Sequence, residues 1–130
     1  MIVGLGTDLV DSRRIARELG RGGWRGDEGV FTAQEVAYCS ADNQPELRYA
    51  ICFAAKEATL KALGMEIPDL GVFREVELGL DGGSPILFLR YRPAAAARKL
   101  GASRIHVSVA STLKNAAAMV ILESEDRRQV

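Results

Sequence analysis

Cysteine, histidine, proline and aromatic side chains are all scarce in this chain. Two cysteines, Cys39 and Cys52, among 130 residues cannot make a disulfide framework, and there is no CxxC motif. A single histidine, His106, leaves too few soft ligands for a zinc site. Charge of one sign is missing too: 17 basic and 17 acidic residues cancel. With few aromatics and no basic excess, nucleic-acid binding is not expected. No apolar run approaches the ~20 residues of a membrane helix, so no membrane association is expected. The N-terminus lacks the charged region and cleavage site of a secretory leader, and a reducing cytoplasm is the expected location.

What is present fits one globular domain over residues 1–130, with 48% hydrophobic and 26% charged residues. "MIVGLGTDLV" alternates as a strand, with Val3, Leu5, Thr7 and Leu9 on one face and Gly4, Gly6 and Asp8 on the other. Glycines beside Asp8 mark a bulge, tight packing or a close approach of backbone or ligand. Ser12 is the expected cap of a helix running to Leu19, with Gly20 as terminator. "GRGGWRGDEG" reads as a mobile glycine-rich loop without the GK[ST] of a phosphate cradle. Thr32 and Glu35 form a capping box for a short helix. Pro45 opens a long helix that ends at Gly64.

The remainder turns to strands. "REVELGL" points Val76, Leu78 and Leu80 inward, and "DGGSP" turns it into "ILFLRYR". A short helix from Pro93 to Gly101 follows, then "RIHVSVA", a last buried strand "AAAMVIL" and a polar tail expected to fray. The order β-α-α-α-β-β-α-β-β predicts an α+β fold with an antiparallel sheet packed against helices.

The long helix carries the chemistry. In "FAAKEATLKALG", Glu57 and Lys61 are four residues apart and share a face, while Lys56 points elsewhere. Ala50 and Ala54 on the same stripe are expected to leave a recess. Such a pair alone is commonly a helix stabiliser worth ~0.2–0.5 kcal/mol. With Asp8 it gains meaning: two carboxylates from separate elements suit Mg²⁺, and a lysine beside them suits phosphate oxygens. Asp8, Glu57 and Lys61 are therefore the candidate catalytic set, with Asp8 and Glu57 as metal ligands.

"GLGTDLVDSRRI" followed by "FAAKEATLKALG" and "IHVSVAST" resembles the signatures of the holo-(acyl-carrier-protein) synthase group of 4′-phosphopantetheinyl transferases, in the right order and at the right length. The resemblance implies transfer of phosphopantetheine from coenzyme A to a serine of an acyl carrier protein, with release of 3′,5′-ADP. It implies Mg²⁺ on Asp8 and Glu57, Lys61 on the pyrophosphate, Lys56 as a further cofactor contact, and Arg14 facing the carrier. Homotrimers with coenzyme A between neighbours are implied as well. Glu57, directly or through water, is the expected base for the serine proton.

Arg13, Arg14, Arg17, Arg21 and Arg25 form a basic stretch interrupted only by Glu18, and this stretch suits an acidic carrier helix. The plain alternative is a solvated arginine face. Three positions depart from the family: Cys52 and Ser84 stand for a basic residue each, and Ser111 stands for a histidine. Arg48, one turn before Cys52, is the expected substitute at the nucleotide end of coenzyme A, with His106 and Ser111 as further candidate contacts. A lone strand histidine is more commonly a rim residue, and Cys52, without an activating partner, reads as core. A binding-only relative and a structural oligomerisation domain are the competing readings. The carrier could serve fatty-acid, polyketide or peptide synthesis.

Overall fold

The computed structural model describes residues 1–24 and 29–125. The elements are β1 (Ile2–Asp11), α1 (Ser12–Gly20), α2 (Ala33–Ser40), α3 (Pro45–Ala62), α4 (Gly71–Arg74), β2 (Val76–Asp81), β3 (Ser84–Leu89), α5 (Tyr91–Leu100), β4 (Arg104–Ser111) and β5 (Asn115–Glu123). The expected order holds, with the single-turn α4 added. The α+β class also holds, but the strands divide into an antiparallel sheet β1-β5-β4 and a separate hairpin β2-β3.

Helix α3 is the centre of the molecule. Eleven of its 18 residues are buried, among them Tyr49, Phe53, Ala58 and Leu60. A helix apolar on most sides belongs inside a domain, not on its surface. It lies across the inner face of β1-β5-β4, over Val10, Ala116, Ala118, Val120 and Leu122, all of them buried. Trp24, Phe31, Tyr49, Phe53 and Phe73 form a chain of tilted ring contacts along another side of α3, with centroids 4.7–6.1 Å apart.

The glycines of β1 mark a backbone approach. A Cβ on Gly6 would lie 2.0 Å from the carbonyl oxygen of Ala58, and one on Gly4 would lie 2.2 Å from that of Ala62. Strand and helix touch main chain to main chain at these points. A register shift between Ile2 and Gly4 adds a local irregularity, so the two structural readings of these glycines coexist. Leu5 and Leu9 take the outer face of the sheet and are 59% and 72% exposed.

Several local expectations change. Asp11, not Ser12, caps α1 by accepting the amide N–H of Arg13 at 2.8 Å. Ser12 is buried and donates from its amide and hydroxyl to the carbonyl of Lys114, tying α1 to the β4–β5 turn. Leu80 faces inward with Leu78, as expected, but onto an open cavity between the hairpin and helices α2 and α3, and it stays 52% exposed. Ala50 and Ala54 are fully buried, so their small side chains permit close packing and leave no recess.

The Thr32–Glu35 capping box forms, and Gly64 and Gly101 end their helices with φ of 68° and 72°. The amide of Ser124 donates to the carbonyl of Met1, and the Met1 ammonium donates back to the carbonyl of Ser124, both at 2.7 Å. The expected fraying therefore does not begin at Glu123, and residues 126–130 lie outside the described part. Arg25 also lies outside it, but Trp24 of the glycine-rich loop is anchored 4.9 Å from the Phe53 ring.

Candidate active site

The approach of β1 to α3 brings Asp8 and the Glu57–Lys61 face together. Asp8 follows Gly6 on the inner face of β1, at the level of Ala118 on β5 and Val109 on β4. The Lys61 Nζ donates to Asp8 Oδ1 at 3.0 Å and to the Thr7 carbonyl at 3.1 Å. The other oxygen, Asp8 Oδ2, is buried and accepts no hydrogen bond while Glu57 is ionised.

Glu57 is half-buried beside this pair. Burial raises its pKa first, and the neighbouring Asp8 raises it further by its charge and by the hydrogen bond a protonated Glu57 gives it; Lys61 and Arg14 pull it back. Asp8 and Lys61 open onto a cleft; Glu57 acts on that pair from beside it, and Arg14 acts on Glu57. The cleft is lined by Thr7, Asp8 and Lys61 and runs over small side chains at Ser108, Ala110 and Ala117.

A divalent oxygen-seeking cation fits these donors. Asp8 offers a buried oxygen with no donor on it while Glu57 is ionised, and Glu57 offers a second carboxylate from another element. Among the described residues no third histidine, cysteine or carboxylate joins them. An ion held here would keep positions for water and ligand oxygens, as Mg²⁺ does and an all-protein calcium cage does not.

Lys56 was expected to contact cofactor; the structure places it elsewhere. It is completely buried and donates to Glu35 Oε1 at 2.6 Å, the Phe73 carbonyl at 2.7 Å and the Val76 carbonyl at 2.5 Å. All three ammonium donors are used, so none reaches a ligand. Burial lowers its pKa, opposed by Glu35. Glu35 also accepts the amides of Thr32 and Leu78, so α2, α3, α4 and β2 are joined at one buried ion pair. The sequence shows Glu35 only as a helix cap; nothing in its spacing reveals the second role.

A second cavity of about 340 Å³ lies between α2, α3 and the hairpin. Arg48, Cys52, Ile51, Tyr38, Leu78 and Leu80 line it, and Val109 lines both this cavity and the Asp8 cleft. Arg48 therefore does share a site with Cys52. Its guanidinium lies 4.2 Å from the Tyr38 ring centroid, donates to the Tyr38 carbonyl at 2.8 Å and pairs with Asp42 at 3.2 Å. Cys52 is buried with its sulfur 3.7 Å from that of Cys39, and the two thiols are free. The contact with the Cys39 thiol, and after it burial, raises the Cys52 pKa, which fits a core thiol and not a nucleophile.

His106 and Ser111 stand apart from both cavities within this chain. His106 sits on the row of Leu5 and Ile121, three residues from the Asp8 level, and its Nε2 meets Glu123 Oε1 at 3.0 Å. Ser111 is exposed on the row of Val10 and Ala116, past the cleft in the other direction.

The arginines of α1 are not equivalent. Arg13 is held by Asp11 at 2.7 Å and Arg21 by Glu18 at 3.0 Å. The Arg17 side chain is in no hydrogen bond or ion pair among the described residues, though its charge acts on Asp11. Arg14 lies with its guanidinium 5.7 Å from the Phe53 ring centroid and is the member of the stripe close enough to act on Glu57.

Comparison with known proteins agrees with this geometry. Residues 4–115 match the family model described as the 4′-phosphopantetheinyl transferase superfamily. The chain is 42% identical over 125 residues to the holo-(acyl-carrier-protein) synthase of Nitratidesulfovibrio vulgaris, covering 95% of this chain and 100% of that protein. The crystal structure of the synthase from Neisseria meningitidis superposes with a TM-score of 0.82 at 31% identity, over 95% of this chain and 100% of that one. The synthase of Bacillus anthracis, in complex with CoA (3′,5′-ADP), gives a TM-score of 0.74 at 29% identity, over 96% and 99% of the two chains.

Proposed function

This chain belongs to the 4′-phosphopantetheinyl transferase superfamily, and from that premise we propose that it is a holo-(acyl-carrier-protein) synthase. It transfers 4′-phosphopantetheine from coenzyme A to a serine hydroxyl of an apo acyl carrier protein and releases 3′,5′-ADP. The serine oxygen forms a bond to the phosphorus bearing pantetheine. The bond from that phosphorus to the oxygen of the departing 3′,5′-ADP breaks, and the hydroxyl proton leaves to a base.

The observation that carries this reading is the buried Asp8 Oδ2, which faces the Glu57 carboxyl while Lys61 holds the other Asp8 oxygen. Asp8 and Glu57 would hold Mg²⁺, which when bound neutralises charge on the diphosphate and on the leaving group. Lys61 supplies an exposed point charge for the phosphate oxygens. Glu57, whose proton affinity is raised by burial and by Asp8, is the proton acceptor this cleft offers. The apolar cavity beside the cleft suits the nucleotide end of coenzyme A, with Arg48 at its wall in place of a basic residue at position 52. Arg14 and Arg17 are the members of the α1 stripe whose guanidinium groups are in no close ion pair, and they face the acidic carrier.

Leu5, Leu9 and Met119 expose apolar surface on one face of the three-stranded sheet. That face suits assembly of a homotrimer, in which His106 and Ser111 would reach a neighbour's cleft. Two thiols in contact without a bond suit a reducing cytoplasm. No helix among the described residues is long and apolar enough to cross a membrane.

Incubation with coenzyme A, Mg²⁺ and apo carrier protein, read by intact mass, tests the proposal. The phosphopantetheine increment is expected with the native chain and not with Asp8→Asn or Glu57→Gln. No increment on any of several carriers overturns it.

A further inference from the structure

Lys61 is bound where the proposed chemistry does not need it. Its ammonium rests on Asp8 Oδ1 and the Thr7 carbonyl, a position that serves Asp8 rather than a phosphate. The side chain is 55% exposed while that of Asp8 is 11% exposed, so the mobile partner of the pair is the lysine. The opposite oxygen of Asp8 is buried with no donor other than the Glu57 carboxyl in its protonated form, and ionised Glu57 adds a second negative charge.

We propose that Lys61 is a resident counter-ion of the metal site: its ammonium holds Asp8 until the divalent cation arrives, and then transfers to the diphosphate of coenzyme A. The inference rests on the metal reading above and adds a thermodynamic consequence to it. A cation that binds alone on Asp8 Oδ2 meets the charge of an ammonium held 3.0 Å from the other oxygen of the same carboxylate. The displaced ammonium gains nothing unless an anion is present to receive it. When coenzyme A is bound, the same displacement gives Lys61 a diphosphate partner. Lys61 therefore opposes the cation alone and favours it with coenzyme A, so it couples the two ligands. By linkage, the cation must strengthen coenzyme A binding by the same factor.

This sign reversal separates the role from simpler ones. A lysine that only contacts phosphate has no effect on cation binding in the absence of coenzyme A. Loss of a lysine that only supports the fold weakens cation binding in both conditions. The expected size follows from a half-exposed ion pair, whose loss is worth up to about fivefold in a binding constant.

The test is a Mn²⁺ titration of the native chain, Lys61→Met, Lys61→Gln and Asp8→Asn, followed by the electron paramagnetic resonance of free Mn²⁺, with and without coenzyme A. Circular dichroism checks that each variant is folded, and Lys61→Gln keeps a polar side chain if Lys61→Met is unstable. Both Lys61 variants are expected to bind Mn²⁺ alone about fivefold more tightly than the native chain. They are expected to lose part of the gain that coenzyme A confers on the native chain. Unchanged or weaker binding of Mn²⁺ alone overturns the counter-ion role. Native-like binding by Asp8→Asn instead overturns the metal reading on which it rests.

Discussion

Gly6 and Ala58 are in contact through their main chains: a Cβ on Gly6 would stand 2.0 Å from the Ala58 carbonyl oxygen. This contact lies two residues before Asp8 on β1 and one residue after Glu57 on α3. The separation of the two carboxylates is therefore set where no side chain intervenes.

Gly6→Ala should cost about 3 kcal/mol or more, because the obstructing atom is backbone and cannot swing away. Urea unfolding measures this. Gly20→Ala is the comparison, since a Cβ there meets nothing within 4 Å and the residue ends a helix. It should be neutral or slightly stabilising. Equal effects at the two positions would refute the contact.

Lys56→Met should destabilise the fold by about 3–5 kcal/mol, the range for breaking a buried ion pair. It strands Glu35 and leaves the Phe73 and Val76 carbonyls without their donor. Glu35→Gln, which keeps the shape and loses the charge, should fall in the same direction. A loss of coenzyme A affinity with unchanged stability would restore Lys56 to the ligand site.

Acid should weaken the cap of α1. The Arg13 side chain, and after it the Arg13 amide, lowers the Asp11 pKa from 3.8 to about 2. A carboxylate with a depressed folded-state pKa contributes fully above its unfolded value and loses that contribution as pH falls through its folded value. The stability gap between the native chain and Asp11→Asn should thus be constant above pH 4 and shrink between pH 4 and pH 2. Asparagine still caps well, so only the charged part is removed. Thermal unfolding across that range gives the gap; one that is independent of pH would exclude this role.

Leu9→Lys should leave the chain folded and change its assembly. Leu9 is 72% exposed in the single chain, so its loss removes little from the core. Light scattering should report a native homotrimer and a smaller species for the variant. A native monomer would remove the assembly from the proposal.

Much of this could be read in the sequence because it is local or periodic. The Thr32–Glu35 box, the Pro45 start and the 3.6-residue stripe placing Glu57 with Lys61 depend on neighbours along the chain. The link from Asp8 to that stripe came from a family likeness, and its physical cause is the glycine contact. What was not legible is the identity of distant partners. Lys56 and Lys61 look alike in "AAKEATLKA", yet one is fully buried on Glu35 and the other half-exposed on Asp8. Their difference of five residues turns them to different sides of one helix, and only the fold says what waits on each side. Leu80 alternates correctly with Val76 and Leu78, but alternation does not reveal that an open cavity lies over it.

The buried ion pair also acts on geometry. A helix lying on a sheet can move away from it, slide along its own axis or roll about it. Burial of its apolar sides opposes separation of α3 from the sheet, and the glycine contacts oppose sliding, since carbonyls 58 and 62 sit in the notches left at positions 6 and 4. Rolling is left, and rolling would turn Glu57 out of its cleft. Lys56 stops it: its ammonium is pinned to three acceptors on α2, α4 and β2, none of them on the sheet beneath. The direction of Glu57 is thus fixed by the residue immediately before it, which makes Lys56 a torsional lock on the site without touching anything bound there.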